Sequence, residues 1–520
     1  MPSKTTVLSL GSKPYASPYY SIGREICHNM YLEFAQSEDA KNKYYLLKIP
    51  GLKRYGAVDA TNLGACRGML TTGNGRTFTV FGSQLWEILE GGTRVFLGSV
   101  TSYAGPVSMA ENGYQLILVD GTAGWILNFT DNNWTQITDE NFPGNAQATQ
   151  APTHVAYIDT YFIVNVPGTT DYYYSESYYM YHDDVNDTSR DYDPAVQNGY
   201  WNPINSGKKI GRPDNITALA NCNNYLWLFG ANSNEVHYDT GDYNNQLFAR
   251  YEGAILNFGC SAPYSVATYA NNIFWLGSDT SGTLGVFTNE GMAPKRISTR
   301  GIEQIIQDFA KFTDCISYTY AQAGHAFYVM QFPFESRTFV YDLVTDSWHE
   351  RTFLDKNTGE LYAWHGMFAT QNFNKLIMGD VAHSGTFELD TLYYQNDDMD
   401  SETGVNYIRC AKNTPILFVN GQNVRYDWVS IICNQGYGTA VNTAEGVGER
   451  PKLLLAMSDD TGITYHNERE APLGKLGEYS NRSRVLGCGM GRNRVFRITM
   501  TDPVPFILVE LLINAQEMAW

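Results

Sequence analysis

PVSMAENGYQLILVDGTAGWILNFTDNNW (106–134) and its counterpart ITALANCNNYLWLFGANSNEVHYD (216–239) decide the fold class. Each reads as a short strand, an Asn-bearing turn, an apolar strand, a second turn, and a strand ending near an aromatic residue. Asn-Gly, Asn-Asn and Asp-Gly supply the positive-φ positions of tight hairpins. Segments such as YQLILVD and YLWLFG are apolar throughout, as strands covered on both faces must be. The unit recurs in RGMLTTGNGRTFTVFGSQLWEIL (67–89), HVAYIDTYFIVNV (154–166), SVATYANNIFWLGSDTSGTLGVFT (265–288), ISYTYAQAGHAFYVMQFPFESRTFVYD (316–342) and YAWHGMFATQNFNKLIMGDVAHSGTFELD (362–390). A repeat of roughly 40–60 residues with several strands per copy is the signature of a β-propeller. One unit cannot bury its own faces, so a ring of six or seven blades is expected, one of them completed by N-terminal strands. A series of β-sandwiches is the competing architecture.

The predicted organisation has four parts. Residues 1–65 are strands that close or flank the propeller, and 66–391 are the propeller. A polar linker, 392–404, leads to a C-terminal antiparallel β-sandwich or barrel, 405–520. Within it, ILFVNGQNVRYDWVSIICNQG reads as a hairpin about an Asn-Gly turn, and KLLLAMSDDTGITYHNE as another. VFRITMTDPVPFILVELLINA gives two strands cornered at Pro503 and Pro505.

Composition agrees with an all-β chain. Only 17% of residues are charged and 14% are aromatic, with 37 Tyr and 47 Gly, which excludes disorder and long coiled coils. Net charge is −18, which argues against a chain that wraps nucleic acid. The charge is segregated: residues 450–497 carry nine Lys and Arg against five Asp and Glu, on an otherwise acidic body. The start, MPSKTTVLSLGSKPYAS, carries no secretory signal, and no apolar run is long enough to span a membrane. Eight scattered Cys show no zinc-ribbon spacing and read as buried thiols.

Three features are candidates for function. The insertion 171–193 is rich in Tyr and acid, with Asp171, Glu176, Asp183, Asp184, Asp187, Asp191 and Asp193; it is either a functional loop or a solvated one. Arg482, Arg484, Arg492, Arg494 and Arg497 form the cationic cluster. They suit a carboxylate-pairing protein interface, a solvated edge or a phosphate clamp, and Arg492, Arg494 and Arg497 are expected on one strand face. Ser458, Asp460, Gly462, Thr464 and Tyr465 match the Asp-box pattern of sialidase blades, which here reads as a hairpin staple. YDLVTDSWHE (341–350) similarly resembles the corner of a kelch blade. No HExxH, GxSxG or phosphate loop is present, and DDMDSETG (397–404) lacks the glycine of a calcium loop. Hence no catalytic residue, cofactor or metal is assigned, and a propeller glycosidase or a glycan-binding module stays as the alternative.

Several stretches, in order, resemble the packaged-DNA stabilisation proteins, tail hub or nozzle subunits of short-tailed bacteriophages. They are CHNMYLEFAQ…KNKYYLLKIPGLKRYG (27–56), LFGANSNEVHYDTGD (228–242), RGIEQIIQDF (300–309), FVYDLVTDSWHER (339–351) and RSRVLGCGMGRNRVFRITMTDPVPFILVELLINA (482–515). Tyr172–Asp193 is a departure from that pattern. The resemblance implies a non-enzymatic virion subunit, assembled in the host cytoplasm as a homo-oligomeric ring, a hexamer in the family. It would sit below the portal and its adaptor protein, contact the tail needle and fibres or spikes, and let double-stranded DNA pass without specific binding.

Overall fold

The computed structural model describes residues 4–518 apart from 11–24, 36–42, 58–60, 146–149, 178–200, 213, 243–245, 280, 400, 402, 419–420 and 440–445. Four-stranded antiparallel units follow one another along the chain, beginning with Cys66–Thr71, Thr77–Phe81, Gln84–Ile88 and Arg94–Ser99. Blades 2 to 5 run from Ser108, Val155, Ile216 and Ala267. Blade 6 is built from Ile316–Gln322, His325–Phe332, Arg337–Asp342 and Ser347–Leu354. In blade 7, three strands (Gly366–Asn372, Lys375–Asp380, Thr386–Asp390) are completed by Gly51–Arg54 from far upstream. Six of these units are separate four-stranded sheets, and the strands of blade 6 belong to a larger sheet. The first strand of each unit neighbours those of the units before and after, and Gly366–Asn372 returns to Cys66–Thr71, so the ring closes.

Burial explains the closure. Phe78, Val80 and Leu85 of blade 1 pack with Leu116, Leu118 and Trp125 of blade 2. Blades 2 and 3 share Ile117, Ile126, Phe162 and Val164, and blades 4 and 5 share Trp227, Phe229 and Trp275. Each of these cores belongs to two neighbouring blades, because a sheet apolar on both faces needs a sheet on either side. The Asn-Asn turn reads as expected: Asn223 and Asn224 both take positive φ, 56° and 60°, the geometry of a two-residue hairpin.

The C-terminal part is a β-sandwich. One sheet pairs Ile507–Glu517 with Val424–Cys433, which in turn pairs with Arg484–Leu486. Lys4–Ser9, Met30–Phe34 and Tyr44–Lys48 add to the same sheet. Among the described residues no strand pairs with Val424–Cys433 across Gly421; its partners are Ile507–Glu517 on one side and Arg484–Leu486 on the other. The second sheet contains Cys410–Asn413, Val495–Met500, Lys452–Ser458 and His466–Pro472. Pro503 and Pro505 lie where the chain leaves the second sheet for the first.

This second sheet does not stop at the sandwich. Cys27–His28 pairs on one side with Cys410–Asn413 and on the other, parallel, with Ser347–Leu354 of blade 6. Sandwich and blade 6 therefore share one ten-stranded sheet. They also share one core, in which Tyr318, Phe327 and Trp364 of the propeller pack with Tyr31, Leu455, Phe496 and Leu508 of the sandwich. The all-β pattern left one element unread: an α-helix, Arg300–Gln307, follows blade 5 and buries Ile302 and Ile306 between blades 5 and 6.

Candidate functional site: the propeller–sandwich seam and the arginine face

Two of the places where polar side chains concentrate belong to the sandwich or its junction with the propeller. The first is the seam where residues 27–34 run between blade 6 and the sandwich. Asn29 is fully buried at φ 55°. Its amide Nδ2 donates to the Thr352 carbonyl (3.0 Å), the Thr352 hydroxyl (2.9 Å) and the Arg409 carbonyl (2.9 Å). Its Oδ1 accepts from the Thr352 amide at 2.9 Å. A short side chain thus holds blade 6 and the start of the C-terminal part together, and Asn tolerates the left-handed backbone that the position demands.

On either side of Asn29 lie ion pairs. His28 Nε2 is 3.2 Å from Glu350, whose other oxygen pairs with Arg337. Burial alone would raise the Glu350 carboxyl, but the hydrogen bond and charge of His28, and then Arg337, hold it down at about 2. Deeper in, His325 is 3% exposed, with Nδ1 2.8 Å from Asp342 and Nε2 2.8 Å from Glu33 of the sandwich strand Met30–Phe34. Burial disfavours the imidazolium, but Asp342 and then Glu33 outweigh it and lift the pKa to about 8. Asp342 also accepts from the Val344 amide and the Thr345 hydroxyl, so the kelch-like corner is a turn staple that doubles as a histidine partner.

Arg351 completes the seam. It is fully buried among the rings of Trp364, Phe327 and Tyr320, with its guanidinium carbon 4.6, 5.0 and 5.4 Å from their centroids. Nε meets His349 Nε2 at 3.3 Å, while Nη1 and Nη2 have no hydrogen-bond partner. His349 is held well below its usual pKa, by burial first and then by the adjacent Arg351 charge. The arrangement joins propeller and sandwich through buried charge, hydrogen bonds and packed rings. None of Asn29, Glu33, His325 and Arg351 was singled out by motif, since each acts through partners distant in sequence.

The second place is the sandwich surface. Of the predicted arginine cluster, Arg494 is internal: it is 2% exposed, pairs with Asp459 through Nε (2.6 Å) and Nη2 (3.0 Å), and donates to the Cys488 and Met490 carbonyls. Arg497 stacks on Tyr465 at 3.9 Å in the other sheet. Arg484 stacks on Trp428 at 4.2 Å, Arg482 is exposed beside it, and Arg492 donates to Asn423. The expected common face for Arg492, Arg494 and Arg497 is not formed: Arg492 sits in a bend before the strand Val495–Met500, where alternation does not apply, and Arg494 is held in an isolated bridge to Leu417 with its side chain turned inward.

The Asp-box-like turn joins Lys452–Ser458 to His466–Pro472. Asp460 accepts from Ser458 (2.6 Å), from the Ile463 and Thr464 amides and from the Thr464 hydroxyl, while Gly462 takes φ 96°. Those hydrogen bonds, from Ser458 and Thr464 foremost, lower its pKa. Tyr465 lies beneath Arg497 and accepts from Asn413. In 397–404 a cation is already supplied by the chain: Arg54 Nη2 donates to the carbonyls of Asp398 (3.0 Å) and Ser401 (2.6 Å). Of the acidic insertion, Asp171 faces Lys208 at 3.5 Å and Glu176 accepts from Asn205. Asp183, Asp184, Asp187, Asp191 and Asp193 lie outside the described residues. Among the described residues, no group of three or more His, Cys, Asp or Glu side chains could hold a metal ion, and no helix is long and apolar enough to cross a membrane.

Comparison with known proteins gives two family matches in chain order. Residues 23–393 match the family described as "Bacteriophage P22 Gp10, beta-propeller", and residues 411–516 match "Bacteriophage P22 Gp10, beta-sandwich". No curated protein matches. Among solved structures, the streptogramin B lyase structure is similar at 8% identity, covering 65% of this chain and 97% of that one, with a TM-score of 0.40. The WD40 beta propeller domain of Doa1 is similar at 7% identity, covering 65% and 97%, with a TM-score of 0.37. At these scores neither likeness decides anything about fold or function.

Proposed function

Because this chain belongs to the bacteriophage P22 Gp10 family, and is thus a phage structural protein and virion component, we propose that it is a tail hub or nozzle subunit. In this reading copies form a ring, a hexamer, below the portal and its adaptor. The ring extends the DNA channel, retains the packaged genome, lets it pass at ejection, and anchors the needle and the fibres or spikes. The subunit is assembled in the host cytoplasm and works without enzymatic turnover.

The observation that carries the reading is the pair of matches, propeller then sandwich, over nearly the full chain. Two physical features support it. A subunit of a pressurised conduit must not hinge, and propeller and sandwich here share a sheet and a core. A channel through which DNA slides gains from not gripping phosphate, and the chain carries −18. A phage with a nonsense codon early in this gene tests the proposal. It should fill heads that then leak DNA and lack tails; normally tailed particles that retain DNA would overturn it.

A further inference from the structure

The outer face of the sandwich sheet is exposed and unusual in composition. Register places Arg425, Trp428 and Ser430 on the same side of Val424–Cys433, with Met490 of the short strand Met490–Gly491 opposite Arg425, and Leu486 and Arg484 of Arg484–Leu486 opposite Trp428 and Ser430. On the other side, Trp428 and Ser430 face Asn514 and Leu512, which in turn face Thr5 and Val7. Leu486 is 64% exposed, Met490 56% and Val7 55%. Arg484 lies on the Trp428 ring, and Arg425 is paired with Asp427 at 2.7 Å. Apolar groups interleaved with Arg and Trp are what the centre of a protein–protein contact uses. A phosphate backbone would have no use for exposed Leu486, Met490 and Val7.

The propeller offers the complement. In an antiparallel blade the turns between strands one and two and between strands three and four lie at the same end. Glu111, Asp159, Glu176 and Asp239, from blades 2 to 4, all stand at that end. Among the described residues no cation pairs with Glu111, Asp159 or Asp239. Partial burial, and then the Asp239 charge beside it, raises the Asp159 carboxyl, a sign of acid crowding acid.

We propose that the Arg425–Arg484–Trp428 face of one copy docks on the acidic rim of blades 2 to 4 of a second copy. The inference rests on the ring reading and gives it a contact. Two different surfaces meeting head to tail add copies one after another rather than stopping at a pair, and give a closed ring when the rotation between copies closes. Opposite charge steers the encounter, and the exposed apolar groups supply the buried area.

The test uses the full chain and sedimentation or light scattering in low salt. Arg425→Glu with Arg484→Glu should weaken assembly by about tenfold or more, as should Leu486→Asp, with circular dichroism unchanged. Adding Asp159→Arg and Asp239→Arg to the double arginine variant should restore assembly. If wild type assembles and the folded variants assemble equally well, the inference falls while the ring reading stands. If wild type stays monomeric at every concentration, both fall. Assembly lost but not regained by the charge swap overturns the acidic rim as partner. Binding of a duplex DNA by wild type and not by the arginine variant would reassign the face and overturn the proposal.

Discussion

His325 provides the sharpest test of the seam. Its imidazole lies between Asp342 of its own blade and Glu33 of the sandwich, 2.8 Å from each, with 3% of the residue exposed. The pKa is lifted from 6.5 to about 8 in the folded chain. A group whose folded pKa is raised contributes stability that is fully present below the unfolded value and is lost as pH rises through the folded one. One pKa unit is about 1.4 kcal/mol, so the seam should weaken by about 2 kcal/mol between about pH 6 and pH 9.5. His325→Gln removes the titration but keeps an amide that can donate to one carboxylate. Guanidinium unfolding of wild type and variant across that range isolates the term, because shared core and sheet make one cooperative transition the expectation. Wild type should exceed the variant at low pH, and the gap should shrink by about 2 kcal/mol on raising pH. A gap that stays constant or widens with pH would refute the reasoning.

Further outcomes follow from neighbouring residues. Arg351→Ala should cost about 3–5 kcal/mol, since it opens a cavity among three rings, whereas Arg351→Met should be near neutral because both Nη groups lack partners; paired melts distinguish them. Asn29→Ala removes four hydrogen bonds and should cost about 3 kcal/mol, read by the same denaturation and by faster hydrogen exchange at Thr352. At Gly51, an added Cβ would meet the Gln395 carbonyl oxygen at 1.8 Å, so Gly51→Ala should displace the strand that completes blade 7 and cost about 3 kcal/mol or more, with proteolysis appearing near residues 51–54. Acidification should weaken the His28–Glu350–Arg337 cluster: its contribution is full above the ordinary Glu range and lost as pH falls through about 2, a loss that Glu350→Gln should abolish.

What the sequence made legible is what local chemistry controls. The Asn223–Asn224 turn, the fully apolar middle strands and the spacing of copies needed only neighbours within a few residues, and they led to a propeller followed by a β-sandwich. The family matches and the fold bear both out. What stayed hidden depends on partners brought together by folding. A single parallel pairing, His28 with Glu350, fuses blade 6 to the sandwich, and two residues of strand carry no periodicity to find. The helix Arg300–Gln307 has an apolar spacing of its own, yet eight residues between β units were absorbed into the repeat. Arg492 and Arg494 are two apart, which suggests a shared face only on a continuous strand; here Arg492 lies exposed in a bend, while Arg494, bridged to Leu417, turns inward to Asp459. The arginines proposed for docking gain their meaning from register, with Arg484 placed beside Trp428 by the pairing of Arg484–Leu486 with Val424–Cys433.

The central claim is that this structural protein stands at the head–tail junction. Cryo-electron microscopy of the unique vertex of the purified virion tests it most directly. The account predicts a ring of propellers, each fused rigidly to a sandwich, around the DNA path immediately below the portal and adaptor. Density for the chain at a fibre tip, on the capsid shell, or nowhere in the particle would contradict it.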